Sequence, residues 1–110
     1  MNQEELAVWQ IIETHRGKAQ AISYGRLAWV TGLPERKVRQ IVHDLILAHR
    51  KPICASYDHK CGGYYMPQTA AEIRETVEKL RKHGISILSH AAALSKMSLP
   101  KYLGQLSLQF

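Results

Sequence analysis

The segment 36–43 groups the side chains with the clearest capacity for chemistry. It combines cations with neutral hydrogen-bonding groups, and apolar residues are interleaved with them at helical spacing. On the polar face of a helix, Arg presents paired N–H donors that fit guanine, and Gln presents a donor and an acceptor that fit adenine. Such a face fits either contact with a nucleic acid or simple solvation, and its polar members are Arg36, Lys37, Arg39, Gln40 and His43.

The overall charge favours the same kind of partner. Fifteen Lys and Arg oppose nine Asp and Glu, which gives a formal net charge of +6 at pH 7, and the six His add to it when protonated. A basic balance favours polyanions. A solvated helix face carries the same residue types, so the charge indicates DNA only beside a structural motif.

Other chemistries find less support in the sequence. There is no Gly-rich phosphate loop and no nucleophile elbow, and Asp44 and Asp58 fall on different predicted elements. We therefore expect no catalytic residue and no enzyme activity. Cys54, His59 and Cys61 lack the close paired spacing of structural zinc sites, so neither a metal nor another cofactor is predicted.

Three helices are predicted in the first half of the chain. An apolar stripe that includes Trp9 predicts the first, and Ser23 is placed to cap the second. Trp9 and Trp29 are both expected to pack in the core. The predicted ranges are Glu4–Arg16, Ser23–Gly32 and Pro34–His49, with an extended link at Ala19–Ile22.

The third helix is amphipathic, and a hairpin follows it. Its apolar face comprises Val38, Ile41, Val42, Leu45 and Ile46. Pro52–Ser56 and Tyr64–Met66 are predicted strands, joined by a polar turn at Asp58–Gly63.

A long helix is predicted after the hairpin. Thr69 and Glu72 form a T-x-x-E capping box, which starts a helix that continues to about Met97. The alternative is a break at Lys82-His83-Gly84. Pro100 is expected to end the helical region and to leave Lys101–Phe110 as a mobile tail.

The second and third helices resemble a helix-turn-helix. Ala28 is the small residue that lets two helices cross closely, and Gly32 suits a turn with positive φ. Thr31 departs from the pattern, because an apolar residue is commoner there. With the hairpin, Leu6 to Met66 resembles the winged-helix family, and Gly62-Gly63-Tyr64-Tyr65 resembles small winged-helix proteins of phages and prophages. The resemblance implies a mainly α (α+β) winged helix-turn-helix with a β-hairpin wing and a long C-terminal helix.

The same resemblance implies how DNA is bound. The third helix would enter the major groove, and the wing would touch the backbone or the minor groove. Winged helices also serve as protein-binding modules, which is the alternative. The residues expected at double-stranded DNA are Ser23, Tyr24, Arg26, Arg36, Lys37, Arg39, Gln40, His43, His59 and Lys60.

The last long helix carries a stripe with heptad spacing. Its residues recur at alternating steps of four and three, with Gly84 and Ala91 as small members. The stripe predicts either a homodimer or packing against the first helix of the same chain. The large residues assigned to dimerisation are Ile73, Val77, Leu80, Ile87 and Leu94.

The C-terminal peptide resembles the short motif with which many bacterial replication and repair proteins bind the sliding clamp of the replicative DNA polymerase. The matching residues are Gln105, Leu106, Leu108 and Phe110. The resemblance implies that Leu108 and Phe110 enter an apolar pocket of the clamp. The alternative is that the peptide folds back on the core.

These patterns predict a DNA-binding domain at 1–68, a C-terminal helix at 69–98 and a tail at 99–110. No segment is apolar enough to span a bilayer and the start is polar, so a cytoplasmic protein without a membrane partner is expected. The favoured hypothesis is an accessory replication or regulatory protein of phage or mobile-element type. A dimeric transcription regulator and a protein-interaction module without DNA are the alternatives.

Overall fold

A computed structural model of the chain describes residues 1–57 and 62–109, with side chains as far as residue 106. It is mainly helical and divides into two compact units, of which the first is Met1–Thr76 and the second begins at Val77. In the described part of the chain, no helix is long and apolar enough to cross a membrane. The elements are α1 Gln3–Ile12, a 3-10 turn Lys18–Gln20, α2 Tyr24–Thr31, α3 Glu35–Leu47, β1 Cys54–Ser56, β2 Gly63–Tyr65, α4 Ala70–Leu94 and α5 Leu99–Gln109.

Helix α1 ends at Ile12, earlier than the predicted Arg16. The Thr14 N–H bonds to the Ile11 carbonyl three residues back, at 3.2 Å, and the Thr14 hydroxyl donates to the same oxygen at 2.7 Å. These short-range bonds tighten the chain into a turn instead of a further helical turn. Gly17 has a φ of 85° after that turn.

The turn between α2 and α3 confirms the local prediction. Ser23 caps α2, because its hydroxyl accepts the N–H of Arg26 at 3.1 Å. Gly32 follows α2 in the left-handed conformation, with a φ of 73°, as the turn requires. Pro34 is the N-cap of α3 and not part of its first turn. The two helices therefore follow each other across a sharp and well-defined bend.

The core lies where α1, α2 and α3 meet. The apolar face of α3 is buried as predicted, except that Ile46 is exposed. Trp9 packs against the core as predicted, but Trp29 is 80% exposed and the prediction that it packs was wrong. Helix α2 uses Leu27 and Ala28 for burial, and one step of about 100° carries residue 29 away from that face.

The hairpin lies against the link before α2. Strands β1 and β2 are antiparallel, with Cys54 opposite Tyr65. Ile22 adds a bridge to Tyr64 through backbone bonds of 2.9 and 2.8 Å. Residues 58–61 of the predicted Asp58–Gly63 turn lie outside the described residues.

Helix α4 starts as predicted and runs without a break through Gly84. Thr69 and Glu72 exchange the two bonds of a capping box, each 3.3 Å long. The Glu72 carboxylate also accepts the N–H of Lys18 at 2.7 Å, and the Thr76 hydroxyl donates to the Ala55 carbonyl at 3.5 Å. The first two turns of α4 thus belong to the first unit, so this unit extends beyond the predicted boundary at residue 68.

The expected mobile tail is a helix in the structure. Lys96 has a φ of 57°, which separates α4 from α5, and α5 then covers Leu99–Gln109. Pro100 lies in the first turn of α5. A proline is tolerated there because its missing N–H would have had no partner within the helix. The prediction that Pro100 ends the helical region was therefore wrong.

Candidate nucleic-acid interface

The exposed face of α3 is set by its buried face. Val38 and Leu45 point into the core together with the rest of the apolar stripe. At about 100° per residue, the direction opposite that stripe passes through three polar side chains. These are Arg36, Gln40 and His43, all exposed. They form a single row, which we call the outer row of α3.

Arg39 and Lys37 flank the outer row on opposite sides. The Arg39 guanidinium lies 4.1 Å from the ring centre of Tyr24, at the start of α2. The negative face of an aromatic ring attracts a cation at this distance. Arg39 is therefore held toward α2 and the hairpin, while Lys37 lies exposed on the other side of the row.

A groove of about 760 Å³ lies beside Arg39, between the start of α2 and the hairpin. Burial raises the pKa of the Tyr64 hydroxyl, although the nearby Arg39 partly opposes this. The phenol therefore stays protonated at neutral pH and can donate a hydrogen bond. The groove is lined by Ser23, Tyr24, Gly25, Arg39, Ala55, Ser56, Tyr57, Gly62, Gly63 and Tyr64.

The start of α2 brings further polar groups to this side. The N-terminal N–H groups of a helix favour negative charge, and Arg26 is exposed close to them. The Ser23 hydroxyl faces the backbone of its own helix as a cap. The carboxylate of Glu35 also lies nearby, because an oxygen of it is 3.2 Å from the position that a Cβ on Gly25 would take. The local charge is consequently mixed at Gly25 and positive at Arg26 and Arg39.

Asp44 holds one member of the outer row and lies near another. Its carboxylate accepts the side-chain amide N–H of Gln40 at 3.0 Å and lies 3.8 Å from Nδ1 of His43. The Gln40 amide retains its second N–H and its carbonyl oxygen, the groups that hydrogen-bond to adenine. Asp44 was not predicted at this surface, although its i, i+4 spacing from Gln40 indicates a pair on one helix face.

The structure exposes every predicted DNA-binding residue that it describes. Arg36, Gln40 and His43 share the outer row, while Tyr24 and Arg39 share the groove. His59 and Lys60 lie outside the described residues. Tyr57 and Tyr64 also line the groove and were not among the predicted residues, because their place in it depends on the hairpin lying beside α2.

Of the three residues weighed as zinc ligands, only Cys54 lies in the described part of the chain. Across residues 1–57 and 62–109, no group of three or more His, Cys, Asp or Glu side chains is close enough to hold a metal ion. Cys54 is buried, its Sγ lies 3.9 Å from the Glu72 carbonyl, and burial raises its pKa. Cys61 and His59 lie outside the described residues.

The other two predicted binding regions lie on α4 and α5. The five large residues of the α4 stripe are all exposed. In the C-terminal peptide, Gln105 is exposed and Leu106 is half-buried on α5. The side chain of Leu108 and all of Phe110 lie outside the described part of the structure.

Comparisons with protein-family models, with curated proteins and with solved structures find no match to this chain. Any function must therefore be inferred from the residues and geometry of its own sites.

Proposed function

We propose that this protein is a winged helix-turn-helix protein that binds double-stranded DNA, with α3 in the major groove and the hairpin as its wing. The observation that supports this best is the outer row of α3. Arg36, Gln40 and His43 project from the side opposite the core, on the second helix of a pair joined at Gly32. A helix in this position can approach a duplex without opening the core.

The polar residues of α3 are assigned to two kinds of DNA contact. The outer row faces the base edges, where Arg36 fits guanine and Gln40 fits adenine. Lys37 and Arg39 flank this row and are assigned to phosphates on either side of the major groove. Phosphate contacts set affinity and register, whereas base contacts set sequence preference.

The groove beside Arg39 accommodates one strand of the DNA backbone. Arg39 supplies a positive charge held by Tyr24, and the protonated hydroxyl of Tyr64 is available as a donor to a phosphate oxygen. Arg26 adds positive charge at the start of α2. Gly62 and Gly63 of the hairpin have no side chains to project into the groove, which leaves room for a sugar-phosphate chain.

The decisive experiment is a binding titration over a series of salt concentrations, with duplex DNA of random sequence and with a site selected from it. For the wild type, we expect the logarithm of the association constant to fall linearly with the logarithm of the salt concentration. Replacing Lys37 or Arg39 by Ala should weaken binding to both duplexes and reduce the salt slope by about 1. Lys101→Ala, which removes an exposed cation from α5, is the matched control and should change neither value.

The outer row is tested by its effect on preference. Arg36→Ala and Gln40→Ala should cost about 1–3 kcal/mol at the selected site and much less on random DNA. Binding that does not depend on salt, or that is unchanged in all four variants, would contradict the proposal and favour a protein-interaction module.

A second candidate function is binding of the bacterial sliding clamp by the C-terminal peptide. Its support is that Gln105 is exposed on α5, in the second compact unit, so the side chain that would donate the directed hydrogen bond is accessible. An extended peptide cannot remain helical, so the last turns of α5 must unwind for binding. Gly104 lowers the cost of this unwinding because glycine favours the unfolded chain.

Pull-down with purified clamp tests this second function. Deleting residues 105–110 and replacing Gln105 by Ala should each reduce clamp retention, whereas Gln10→Ala on α1 should not. DNA binding should be unchanged in all three variants. Retention that survives the deletion would exclude the peptide as the clamp-binding segment.

A further inference from the structure

Helix α4 carries an exposed apolar seam along its length. The large residues of this seam are 43% exposed at Ile73, 55% at Val77, 53% at Leu80, 55% at Ile87 and 77% at Leu94. The helix is 25 residues long, and these residues extend over about 32 Å of it at 1.5 Å per residue. A stripe of this length on a continuous helix is typical of a surface that pairs with another helix.

Residue size alternates along the seam in a regular way. One set of positions carries the short side chains, and the set between them carries the long ones. A Cβ built on Gly84 meets no atom within 4 Å, so this position is an open recess in the helix surface. The short set is Ala70, Gly84 and Ala91, with the larger Val77 at the remaining position of the same spacing, and the long set is Ile73, Leu80, Ile87 and Leu94.

We propose that the seam binds α4 of a second copy of this chain, with the two helices antiparallel and the two-fold axis beside residue 82. About this axis every short residue faces a long one, which is the condition for close packing without voids. A parallel pair would place Gly84 against Gly84 and Ala91 against Ala91, leaving cavities between layers of large residues. The antiparallel layers are Ala70 with Leu94, Ile73 with Ala91, Val77 with Ile87 and Leu80 with Gly84.

The second copy fits this seam for two further reasons. The layers pair residue 70 with 94 and 73 with 91, so the proposed axis coincides with the middle of α4 and the helix is used from end to end. Arg81 lies next to the axis, where two like charges would meet. Its guanidinium is paired with Glu78 on the same helix at 3.1 Å, which compensates the charge. The interface is isologous, as most dimer interfaces are.

Packing inside the second unit leaves the seam available. The buried apolar residue of α4 in this unit is Ala92, which is only 2% exposed. Its carbonyl accepts the N–H of Met97 at 2.9 Å, in one of the backbone bonds that end the helix. Ala92 is one position past Ala91 and lies off the seam, about 100° around the helix.

Sedimentation of the full chain across a range of concentrations tests the dimer. We expect the wild type to reach twice the 12.5 kDa mass of the chain. Ile87→Lys, on the seam, should raise the dimer dissociation constant more than tenfold. Ile85→Lys is the matched control, because Ile85 is 45% exposed on the same helix but lies off the seam. Circular dichroism should show both variants folded, since neither side chain is buried.

Disulfide cross-linking tests the direction of the pair. The double variant Leu80→Cys with Gly84→Cys should cross-link through residue 80 of one chain and residue 84 of the other, as identified by peptide mass. Gly84→Cys alone should not cross-link to itself, because the axis lies at residue 82. A wild type that stays monomeric, an Ile87→Lys variant that still dimerises, a double variant without the cross-link, or self-linked Gly84→Cys would each overturn the proposal.

Discussion

At the scale of single residues, Arg39 differs from Arg36 in having its guanidinium held against an aromatic ring. The 4.1 Å contact with Tyr24 restricts a long side chain before any ligand arrives. Immobilising such a side chain on binding otherwise costs about 0.5–1.5 kcal/mol. In the proposed complex with DNA, the role we assign to Tyr24 is to position Arg39.

Replacing Tyr24 by Leu should weaken DNA binding about 2- to 5-fold, because ordering the released Arg39 side chain on binding then costs about 0.5–1 kcal/mol. The measurement is a double-mutant cycle with Arg39→Ala in a DNA titration. In the Arg39→Ala background the same change should have little effect, because the cation is gone. Additive losses in the cycle would show that Tyr24 contacts DNA independently of Arg39.

Gly63 is the second residue on which local geometry depends. Its φ is +146°, and a Cβ built on it would lie 2.2 Å from the Ile22 carbonyl oxygen. This close approach allows the bridge between Ile22 and Tyr64 and so places the hairpin beside α2. Side chains other than hydrogen do not fit between these backbones.

Gly63→Ala should lower the free energy of unfolding by about 2 kcal/mol or more, through both the clash and the strained φ. Thermal or urea unfolding measures this loss. The control is Gly104→Ala, where a Cβ meets nothing within 4 Å and the glycine lies in a helix. That change should stabilise α5 by about 0.5–1 kcal/mol. An unaffected Gly63→Ala protein would contradict the close approach.

At the scale of elements, the start of α4 is organised by one carboxylate. Glu72 accepts the backbone N–H groups of Gln68 and Lys18 at 2.7 Å each, and that of Thr69 at 3.3 Å. These bonds, first that from Gln68 and then that from Lys18, lower the pKa of Glu72. The charged form is thus favoured in the folded state, which gives its contribution to stability a definite pH dependence.

Because the pKa of Glu72 is lowered on folding, its contribution is fully present above the ordinary Glu value of about 4.3 and is lost as the pH falls through the lowered value. Glu72→Gln should therefore reduce the melting temperature at pH 7. The difference from the wild type should narrow progressively below about pH 4.3. Melting curves from pH 7 to pH 2.5 provide the test.

The matched control is Glu13→Gln, which removes a carboxylate outside the start of α4. Its melting temperature should stay near that of the wild type at pH 7. If the deficit of Glu72→Gln were the same at every pH, the ionised carboxylate would not be the source of the stabilisation.

At the scale of the whole molecule, the buried core is concentrated in the first unit. All the members of its main cluster lie between Val8 and Ile53. The first turns of α4 extend this unit, since Glu72 bonds to Lys18 and Thr76 bonds to Ala55. The compact unit therefore ends at Thr76, within a continuous helix, and not at the start of that helix.

Two truncations test this boundary. A chain ending at Thr76 should unfold cooperatively and bind DNA. A chain ending at Pro67 should have a free energy of unfolding lower by about 2 kcal/mol or more, because Tyr65 and Cys54 are no longer covered by α4. Urea unfolding followed by circular dichroism distinguishes the two. Equal stability of both truncations would place the boundary at the hairpin after all.

Much of the element order was predictable because its signals are local. Ser23, Gly32 and the Thr69 to Glu72 capping box act on backbone groups within a few residues, and all three are confirmed. The end of α1 and the start of α5 differ from the prediction, and here too the cause is local. A threonine-stabilised turn ended α1 early, and Pro100 began a helix that it was expected to prevent.

The sequence by itself determined that α3 is amphipathic, which of its residues are polar, and where its turn and caps lie. These features depend on side-chain type and helical spacing alone. Only the tertiary structure decided that Arg39 rests on Tyr24, that Trp29 points outward and that the hairpin meets Ile22. Such contacts join residues far apart in the chain, and their geometry follows from how the helices and the hairpin pack, which no local pattern encodes.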